Sequence, residues 1–268
     1  MDIQIRDLTH TYPTGVEALG GVSLDIAAGA RVVLLGQNGA GKTTLVKHFN
    51  GLLKPTRGSV RIGDWDTREH SIAQLARRVG FVFQNPDDQL FKTSVEDEIA
   101  VGPTYLQIAP DEIQARVAYA LDVCALNAVR AAHPYDLSPW QRRWVAIASV
   151  VAMRTPIVIL DEPTTGQDAV GLARLARLLE EWRAQKVTVV VVTHDVDFAV
   201  EHFGDVCLMA GGKLLARGGA EVFAETAHVS RAALDLPQLM RLAQALGLAR
   251  LPAHAEEFVD ALAHENGS

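Results

Sequence analysis

Alternating and continuous runs of apolar residues predict a chain built on β-sheets. Near the N-terminus, Ile3 and Ile5 share one face of an alternating segment, and Val22, Leu24 and Ile26 share a face of a second. Alternation of this kind is typical of half-buried strands, so we predict an antiparallel N-terminal sheet. Continuous apolar runs beside amphipathic helical sequence predict the buried strands of a parallel sheet, at residues 32–35, 79–83, 157–160 and 187–192.

Helical periodicity dominates two other parts of the chain. Apolar residues recur on one face of residues 111–126, which predicts an amphipathic helix. We predict a main α/β domain at residues 1–220, with a mostly helical subdomain inserted at approximately 86–150. A helical accessory or dimerisation segment is predicted at 221–268. It carries a stripe of Leu239, Leu242 and Leu246.

The composition is that of a globular protein, with 49% hydrophobic and 21% charged residues among 268. Acidic residues outnumber basic ones by 32 to 25, which argues against nucleic acid as the main partner because phosphate backbones favour a basic face.

Cys124 and Cys207 lie in apolar runs without metal or redox spacing, so we predict buried thiols in a reducing compartment. Residues 1–8 lack a signal-peptide pattern and no apolar segment is long enough to cross a bilayer. We therefore expect a cytoplasmic protein that reaches membranes only through a partner.

A glycine-rich octapeptide lies between the strand predicted at 32–35 and a segment with helical spacing. It reads Gly36-Gln37-Asn38-Gly39-Ala40-Gly41-Lys42-Thr43 and matches the phosphate-binding pattern G-x-x-x-x-G-K-[ST]. Its glycines let backbone N–H groups and the positive end of the following helix meet phosphate charge. Lys42 is predicted to reach the β- and γ-phosphates of ATP, and the Thr43 hydroxyl to bind Mg²⁺. The alternative, a chance match, has a probability of about 1% in a chain of this length.

Two carboxylates follow the apolar run at 157–160. Asp161 is placed to hold the hydration shell of Mg²⁺, and Glu162 to act as general base toward an attacking water. Strands also end in acidic residues simply because they emerge into solvent, and without the phosphate loop that alternative is equally good. Together with the phosphate loop, the catalytic interpretation is favoured. His194 also follows an apolar strand, but a single histidine is usually structural.

These motifs, in this order, resemble the nucleotide-binding subunit of ATP-binding cassette (ABC) transporters over nearly the whole chain. The resemblance implies a P-loop NTPase fold with a parallel sheet core, an N-terminal antiparallel β subdomain and an inserted helical subdomain. It also implies ATP hydrolysis with the catalytic residues Glu162, His194 and Gln84, and Mg²⁺ bound by Thr43, Gln84 and Asp161. The implied ATP-binding residues are Tyr12, which stacks on adenine, Gly36, Gln37, Asn38, Gly39, Ala40, Gly41, Lys42, Thr43 and Thr44, and, toward ATP held by a second subunit, Ser138, Gln141 and Asp168.

A narrower resemblance comes from residues 84–91, 93–100 and 234–239. These segments are similar to the ATPase of energy-coupling factor transporters, which import vitamins or nickel and cobalt ions. That resemblance implies a second ABC ATPase subunit, identical or paralogous, beneath a transmembrane coupling protein and a substrate-binding membrane protein, with no nucleic-acid partner. The chain would then lie peripherally at the cytoplasmic face of the cell membrane. The alternative for the acidic stretch at 87–98 is a solvated helix start, which charge alone favours.

The signature segment departs from the family pattern L-S-G-G-Q. Here Pro139 has no N–H to donate, and Trp140 puts a large ring where close approach to phosphate favours glycine. Trp144 stands where the family usually has arginine, and Gln167 where leucine is common. Ser138 can still cap a helix with Pro139 in its first turn, so we predict that the helix forms.

We hypothesise that the chain combines an intact phosphate-loop half-site with a weakened signature half-site. The alternative is that Ser138 and the remaining backbone donors suffice to bind the phosphate, with Trp140 and Trp144 packed against the helical subdomain.

A second class of function, a non-transport ABC ATPase of DNA repair, chromosome organisation or translation, is disfavoured because the sequence has no heptad arms, zinc-type cysteine clusters or second cassette. A non-hydrolysing nucleotide binder is disfavoured by Glu162 and His194.

Overall fold

The computed structural model of the chain describes residues 1–248 and 251–265. Its strands are β1 (Ile3–Thr11), β2 (Glu17–Ile26), β3 (Arg31–Leu35), β4 (Arg57–Ile62), β5 (Trp65–Asp66), β6 (Val79–Val82), β7 (Ile157–Asp161), β8 (Thr188–Thr193), β9 (Val206–Ala210) and β10 (Lys213–Gly218). Its helices are α1 (Lys42–Lys47), α2 (Ile72–Leu75), α3 (Val95–Tyr105), α4 (Pro110–Val123), α5 (Pro139–Met153), α6 (Ala169–Ala184), α7 (Val196–His202), α8 (Thr226–Ala232), α9 (Gln238–Ala245) and α10 (Ala255–Glu265).

The strands form two sheets. The smaller sheet is antiparallel and has the order β2-β1-β4-β5, and the larger has the order β10-β9-β3-β8-β7-β6. In the larger sheet β9, β3, β8, β7 and β6 run parallel, and β10 pairs antiparallel with β9 at one edge. The predicted fold class, a P-loop NTPase with a parallel core and an antiparallel N-terminal sheet, is confirmed.

Small differences between predicted and observed elements have local causes. The strand predicted at 187–192 begins one residue later, because the N–H of Val187 closes the turn after α6 by donating to the carbonyl of Trp182 at 2.9 Å. The helix predicted at 111–126 ends at Val123, and Ala125 has a left-handed backbone with φ of 53° that cannot continue it. The strand predicted at 79–83 ends at Val82.

The larger sheet separates two hydrophobic cores, because successive side chains of a strand point to opposite faces. In β3, Val32 and Leu34 pack toward the smaller sheet, whereas Val33 and Leu35 pack toward the helices. β7 and β8 follow the same alternation. Both faces of these strands are therefore buried, as their uninterrupted apolar sequences predict.

The helices between β6 and β7 pack on the second core. All residues of α5 from Arg143 to Ala152 are buried, because the helix contacts α3, α4 and β6. α5 runs to Met153, so the approximate limit of 150 predicted for the helical subdomain falls inside a helix. Both cysteines are buried free thiols, as predicted: Cys124 lies in this second core and Cys207 in the core under the smaller sheet.

The C-terminal segment is helical, but its leucine stripe does not face the core as a unit. In α9 the buried residues are Met240 and Ala243, whereas Leu242 in the helix and Leu246 directly after it are exposed. The accessory or dimerisation role predicted for 221–268 stays a prediction, and residues 249–250 and 266–268 of that segment lie outside the described residues. In the described part of the chain, no helix combines the length and the apolar character that a bilayer span requires.

Candidate functional site

The phosphate loop connects the end of β3 to the start of α1. Gly41, the residue before α1, has φ of 96°, and a Cβ there would lie 2.7 Å from the carbonyl oxygen of Ala18. Glycine is therefore required at this position for both conformation and space. The loop lines a cleft of about 510 Å³, together with residues at and near the β1–β2 turn, Gln84 and Glu162.

Most predicted nucleotide-binding residues line this cleft. Tyr12 lies at its rim, with its hydroxyl 3.0 Å from Oγ1 of Thr44. The unpredicted residues Val16, Glu17 and Ala18 also line it. The predicted residues that line it are Tyr12, Asn38, Gly39, Ala40, Gly41, Lys42, Thr43, Thr44, Gln84 and Glu162. Gly36 and Gln37 do not line the cleft.

Lys42 is buried at the base of the loop. Its Nζ donates to the carbonyl oxygens of Gly36 at 2.6 Å and Gln37 at 3.2 Å. Burial lowers the pKa of this ammonium, although the carboxylates of Glu162 and Asp161 act in the opposite direction. The ammonium of Lys42 is thus held by carbonyl groups of the phosphate loop, close to the predicted phosphate position.

Thr43 and Asp161 come together from distant parts of the chain. The Thr43 hydroxyl donates to Oδ1 of Asp161 at 3.1 Å, because α1 begins opposite the carboxyl end of β7. Asp161 is almost completely buried, and this burial raises its pKa to about 6, with the Thr43 hydrogen bond opposing the rise and the neighbouring Glu162 adding to it.

A hydroxyl beside a buried carboxylate is a donor set of the kind Mg²⁺ prefers, since this ion binds one or two protein oxygens and completes its shell with water and substrate phosphate. A cation would also relieve the cost of burying the Asp161 charge. Within residues 1–248 and 251–265, no three His, Cys, Asp or Glu side chains converge in an arrangement that could hold a metal. Thr43 and Asp161 fit the Mg²⁺ site expected in such a cleft.

Glu162 is held firmly at the end of β7. Its N–H donates to the carbonyl of Val192 at 2.8 Å, and its φ of 53° is left-handed, which is rare for a residue with a side chain. Its Oε2 lies 2.8 Å from Nδ1 of His194. The Glu162 side chain is buried (6% exposed) and that of His194 is exposed (61%), so the histidine covers the carboxylate from the solvent side.

Sequence reasoning missed Arg143, which the structure places beneath this site. Its buried guanidinium donates to the carbonyl oxygens of Glu162 at 2.8 Å and Gln84 at 3.1 Å. Burial lowers its pKa, while the carboxylates of Glu162 and Asp161 raise it. A charged residue that begins the apolar run of α5 was the available signal, because an arginine in such a position needs acceptors.

The signature residues lie apart from the cleft of their own chain. Ser138 precedes α5, and both its N–H and its hydroxyl donate to Oε1 of Gln141, at 3.1 and 2.8 Å. Asp168 caps α6 by accepting from the N–H of Gly171 at 2.8 Å. None of these three predicted residues lines the cleft described above. Their predicted contact with ATP on a second subunit stays a prediction.

The helix predicted after the signature segment forms, with Pro139 at its first position. The two tryptophans that follow have different environments. Trp144 is fully buried and its Nε1 donates to Oε1 of Gln167 at 2.8 Å, whereas Trp140 is 47% exposed. In the alternative that both tryptophans pack against the helical subdomain, the burial of Trp144 agrees with that packing, whereas about half of the Trp140 residue is exposed to solvent.

Comparisons with known proteins identify similar sequences and structures. The family model described as "ABC transporter" matches residues 19–165. The chain is 39% identical over 250 residues to the "Energy-coupling factor transporter ATP-binding protein EcfA" of Methanococcus maripaludis, covering 91% of this chain and 89% of that one. A protein of the same description from Methanothermobacter thermautotrophicus is 37% identical over 266 residues, covering 98% and 86%.

Two solved structures are similar in fold and sequence. One is cbiO1 from Clostridium perfringens, described as part of the ABC transporter complex cbiONQ, with a TM-score of 0.75, 33% identity and coverage of 91% of this chain and 98% of that one. The other is the dimeric ATP-binding cassette MJ0796 bound to ADP and Pi, with a TM-score of 0.75, 27% identity and coverage of 81% and 98%.

Proposed function

The chain belongs to the ABC transporter family of ATPases, and on that basis we propose that it energises an importer of the energy-coupling factor type. The observation that carries the proposal is that Lys42, Thr43 and Glu162 line one cleft. Asp161 is hydrogen-bonded to Thr43, and His194 to Glu162. These side chains supply a phosphate-binding cation, a metal-binding pair and a general base with its own partner. ATP is the substrate of this site.

In the proposed mechanism Glu162 accepts the proton of the attacking water. Its carboxylate is buried and hydrogen-bonded to His194, which supports its role as an oriented base. In this proposal His194 also contacts the γ-phosphate. Gln84 also lines the cleft, where its amide would contact the water or the metal shell. Thr43 and Asp161 would hold Mg²⁺, which would supply positive charge to the phosphates.

The cleft is proposed to be half of a composite site. Ser138, Gln141 and Asp168 of a second ATPase subunit, identical or paralogous, would complete it. The solved cassette dimer bound to ADP and Pi supports such an arrangement. In this chain Pro139 lacks an N–H, and the Ser138 hydroxyl already donates to Gln141, so fewer donors are available to the partner's phosphate. We therefore propose that its signature half-site is weakened.

The proposed setting is the cytoplasmic face of the cell membrane, where the ATPase pair would bind a transmembrane coupling protein and a substrate-binding membrane protein. The relatives described as energy-coupling factor ATP-binding proteins support this setting. The proposed cargo class is a vitamin or a transition-metal ion, selected by the membrane partner.

Affinity purification of the tagged chain from its own membranes tests the proposal. We expect two integral membrane proteins and an ATPase subunit to be recovered, together with Mg²⁺-dependent ATP hydrolysis. A Lys42→Ala variant should bring down the same proteins without hydrolysis, since the lysine contacts phosphate and not the partners. Recovery of soluble nucleic-acid proteins alone would contradict the transporter function and favour a non-transport ABC ATPase.

A further inference from the structure

Two neighbouring side chains of α5 bond to the two ends of the loop that joins β7 to α6. The guanidinium of Arg143 donates to the carbonyl oxygens of Glu162 (2.8 Å) and Gln84 (3.1 Å). The indole of Trp144 donates to Oε1 of Gln167 at 2.8 Å. Arg143 is 9% exposed and Trp144 0%, so both donor residues lie in the protein interior.

The bond between Trp144 and Gln167 is specific. An indole has one donor and no acceptor, so burying it requires an acceptor, which Oε1 of Gln167 provides. The amide nitrogen of Gln167, Nε2, is buried and has no hydrogen-bond partner within the described residues. An unpaired buried donor lowers the stability of the fold, and leucine at this position would avoid that loss. Gly171 leaves space for this amide, because a Cβ there would lie 2.3 Å from Oε1 of Gln167. The role of glutamine at position 167 is therefore to accept this hydrogen bond and not simply to fill space.

Both ends of the loop are functionally placed. Glu162 at one end is the proposed base, with a strained φ of 53°. Gln167 at the other end directly precedes Asp168, which caps α6. α5 begins at Pro139, roughly one helical turn before Arg143. A displacement of the signature end of α5 would thus reach both ends of the loop through a buried, rigid helix.

We propose that Arg143 and Trp144 are positioning residues for ATP hydrolysis. Arg143 holds the main chains of Glu162 and Gln84 together. Trp144, through its bond to Gln167, fixes the position of Asp168 relative to these two residues. When a second subunit closes on the signature end of α5, the base and Asp168 move as one unit. This inference rests on the proposed function, because it takes Glu162 as the base and Asp168 as a residue that faces the second subunit.

The first test removes each partner of the bond in the complex purified through the tagged chain. Gln167→Leu removes the acceptor and Trp144→Phe removes the donor. We expect each to lower kcat about tenfold, because a misplaced base slows the chemical step. KM for ATP and the affinity for a fluorescent ATP analogue should stay within about twofold. The double variant W144F/Q167L leaves no unpaired polar group, so it should regain thermal stability without regaining kcat.

A second variant addresses the other contact. Arg143→Lys keeps the positive charge, but its side chain ends one bond short of Nη1, the single nitrogen that donates to both carbonyl groups. We therefore expect kcat to fall about tenfold again at unchanged KM. Trp182→Phe is the matched control, because it makes the same change at another buried indole, in α6, and should leave kcat unaltered.

Two results would overturn the inference: unchanged kcat in Gln167→Leu, Trp144→Phe and Arg143→Lys, or recovery of kcat together with stability in the double variant. The first would show that the contacts do not affect catalysis, and the second that they serve packing alone. An unaltered complex without any ATP hydrolysis would overturn the proposed function, and this inference with it.

Discussion

At the phosphate-loop cleft, polar side chains from separate strands and loops come together around one cavity. Thr43 meets Asp161, and Glu162 meets His194. At the signature end of α5 the polar side chains instead bond to each other, since Ser138 donates twice to the amide of its neighbour on the same turn. The polar groups of the first region are placed to bind a ligand, whereas those of the second form the N-terminal cap of α5.

The difference also extends to charge. Asp161 and Glu162 are buried near the ammonium of Lys42, and the raised pKa of Asp161 reflects first the cost of burying its charge and then the neighbouring Glu162. Functional sites often carry such perturbed groups, because the same burial that costs stability prepares the site for a charged ligand. The segment 138–141 has no ionisable side chain and presents the exposed ring of Trp140. A comparison of the two regions therefore predicts unequal responses to substitution.

The largest predicted effect is at the base. Glu162→Gln should lower kcat about a hundredfold or more, because an amide cannot accept the proton of water, while binding of ATP is retained. Steady-state hydrolysis and binding of a fluorescent ATP analogue measure the two quantities. Glu112→Gln, on the exposed surface of α4, is the matched control and should behave as the unaltered chain. Undiminished hydrolysis in Glu162→Gln would remove this residue from its assigned role.

The cleft could be predicted from the sequence because its signals are local. The phosphate loop is a continuous octapeptide between a strand and a helix, and Asp161 and Glu162 follow directly on an apolar run. Parallel strands bring such carboxyl-terminal residues to one edge of the sheet, so order along the chain was enough to place them together. The alternation of apolar residues likewise predicted the antiparallel sheet, and continuous apolar runs predicted the parallel one.

The contacts around α5 could not be predicted in the same way. Arg143 bonds to main-chain carbonyl groups, which carry no residue identity, and Trp144 bonds to Gln167 across the loop that follows β7. A sequence shows that a buried indole or guanidinium needs an acceptor but not which one is within reach. The leucine stripe of α9 was ambiguous for a related reason, since Leu242 and Leu246 could face either a core or a partner.

The second prediction tests the weakened signature. Replacing Pro139 and Trp140 together with glycine restores an N–H and removes the ring, so turnover by the ATPase pair should rise by up to about a hundredfold if phosphate donors are limiting. Trp140→Phe keeps a ring and Pro139 in place, and should leave turnover unchanged. An unchanged rate in the double glycine variant would instead favour the alternative that Ser138 and the remaining donors suffice. Thermal unfolding provides a check that α5 still forms.

The smallest predicted effect concerns the buried charge of Asp161. Its pKa of about 6 lies above the ordinary 3.8, so between these values the folded chain binds more protons than the unfolded chain, and stability falls as pH rises through that window. Asp161→Asn removes this cost and should raise the free energy of unfolding by roughly 2–3 kcal/mol at about pH 8, with most of that gain lost at about pH 4.

Denaturant titrations of the chain without nucleotide or Mg²⁺ would measure this difference, and Asp260→Asn, at an exposed position of α10, is the control. Equal effects of Asp161→Asn at both pH values would contradict the assigned cause, because a gain that arises from packing does not depend on protonation. A gain at the higher pH alone would show that the cleft carries an electrostatic cost before any ligand binds. No corresponding cost is expected at the signature end, where residues 138–141 contain no group that titrates.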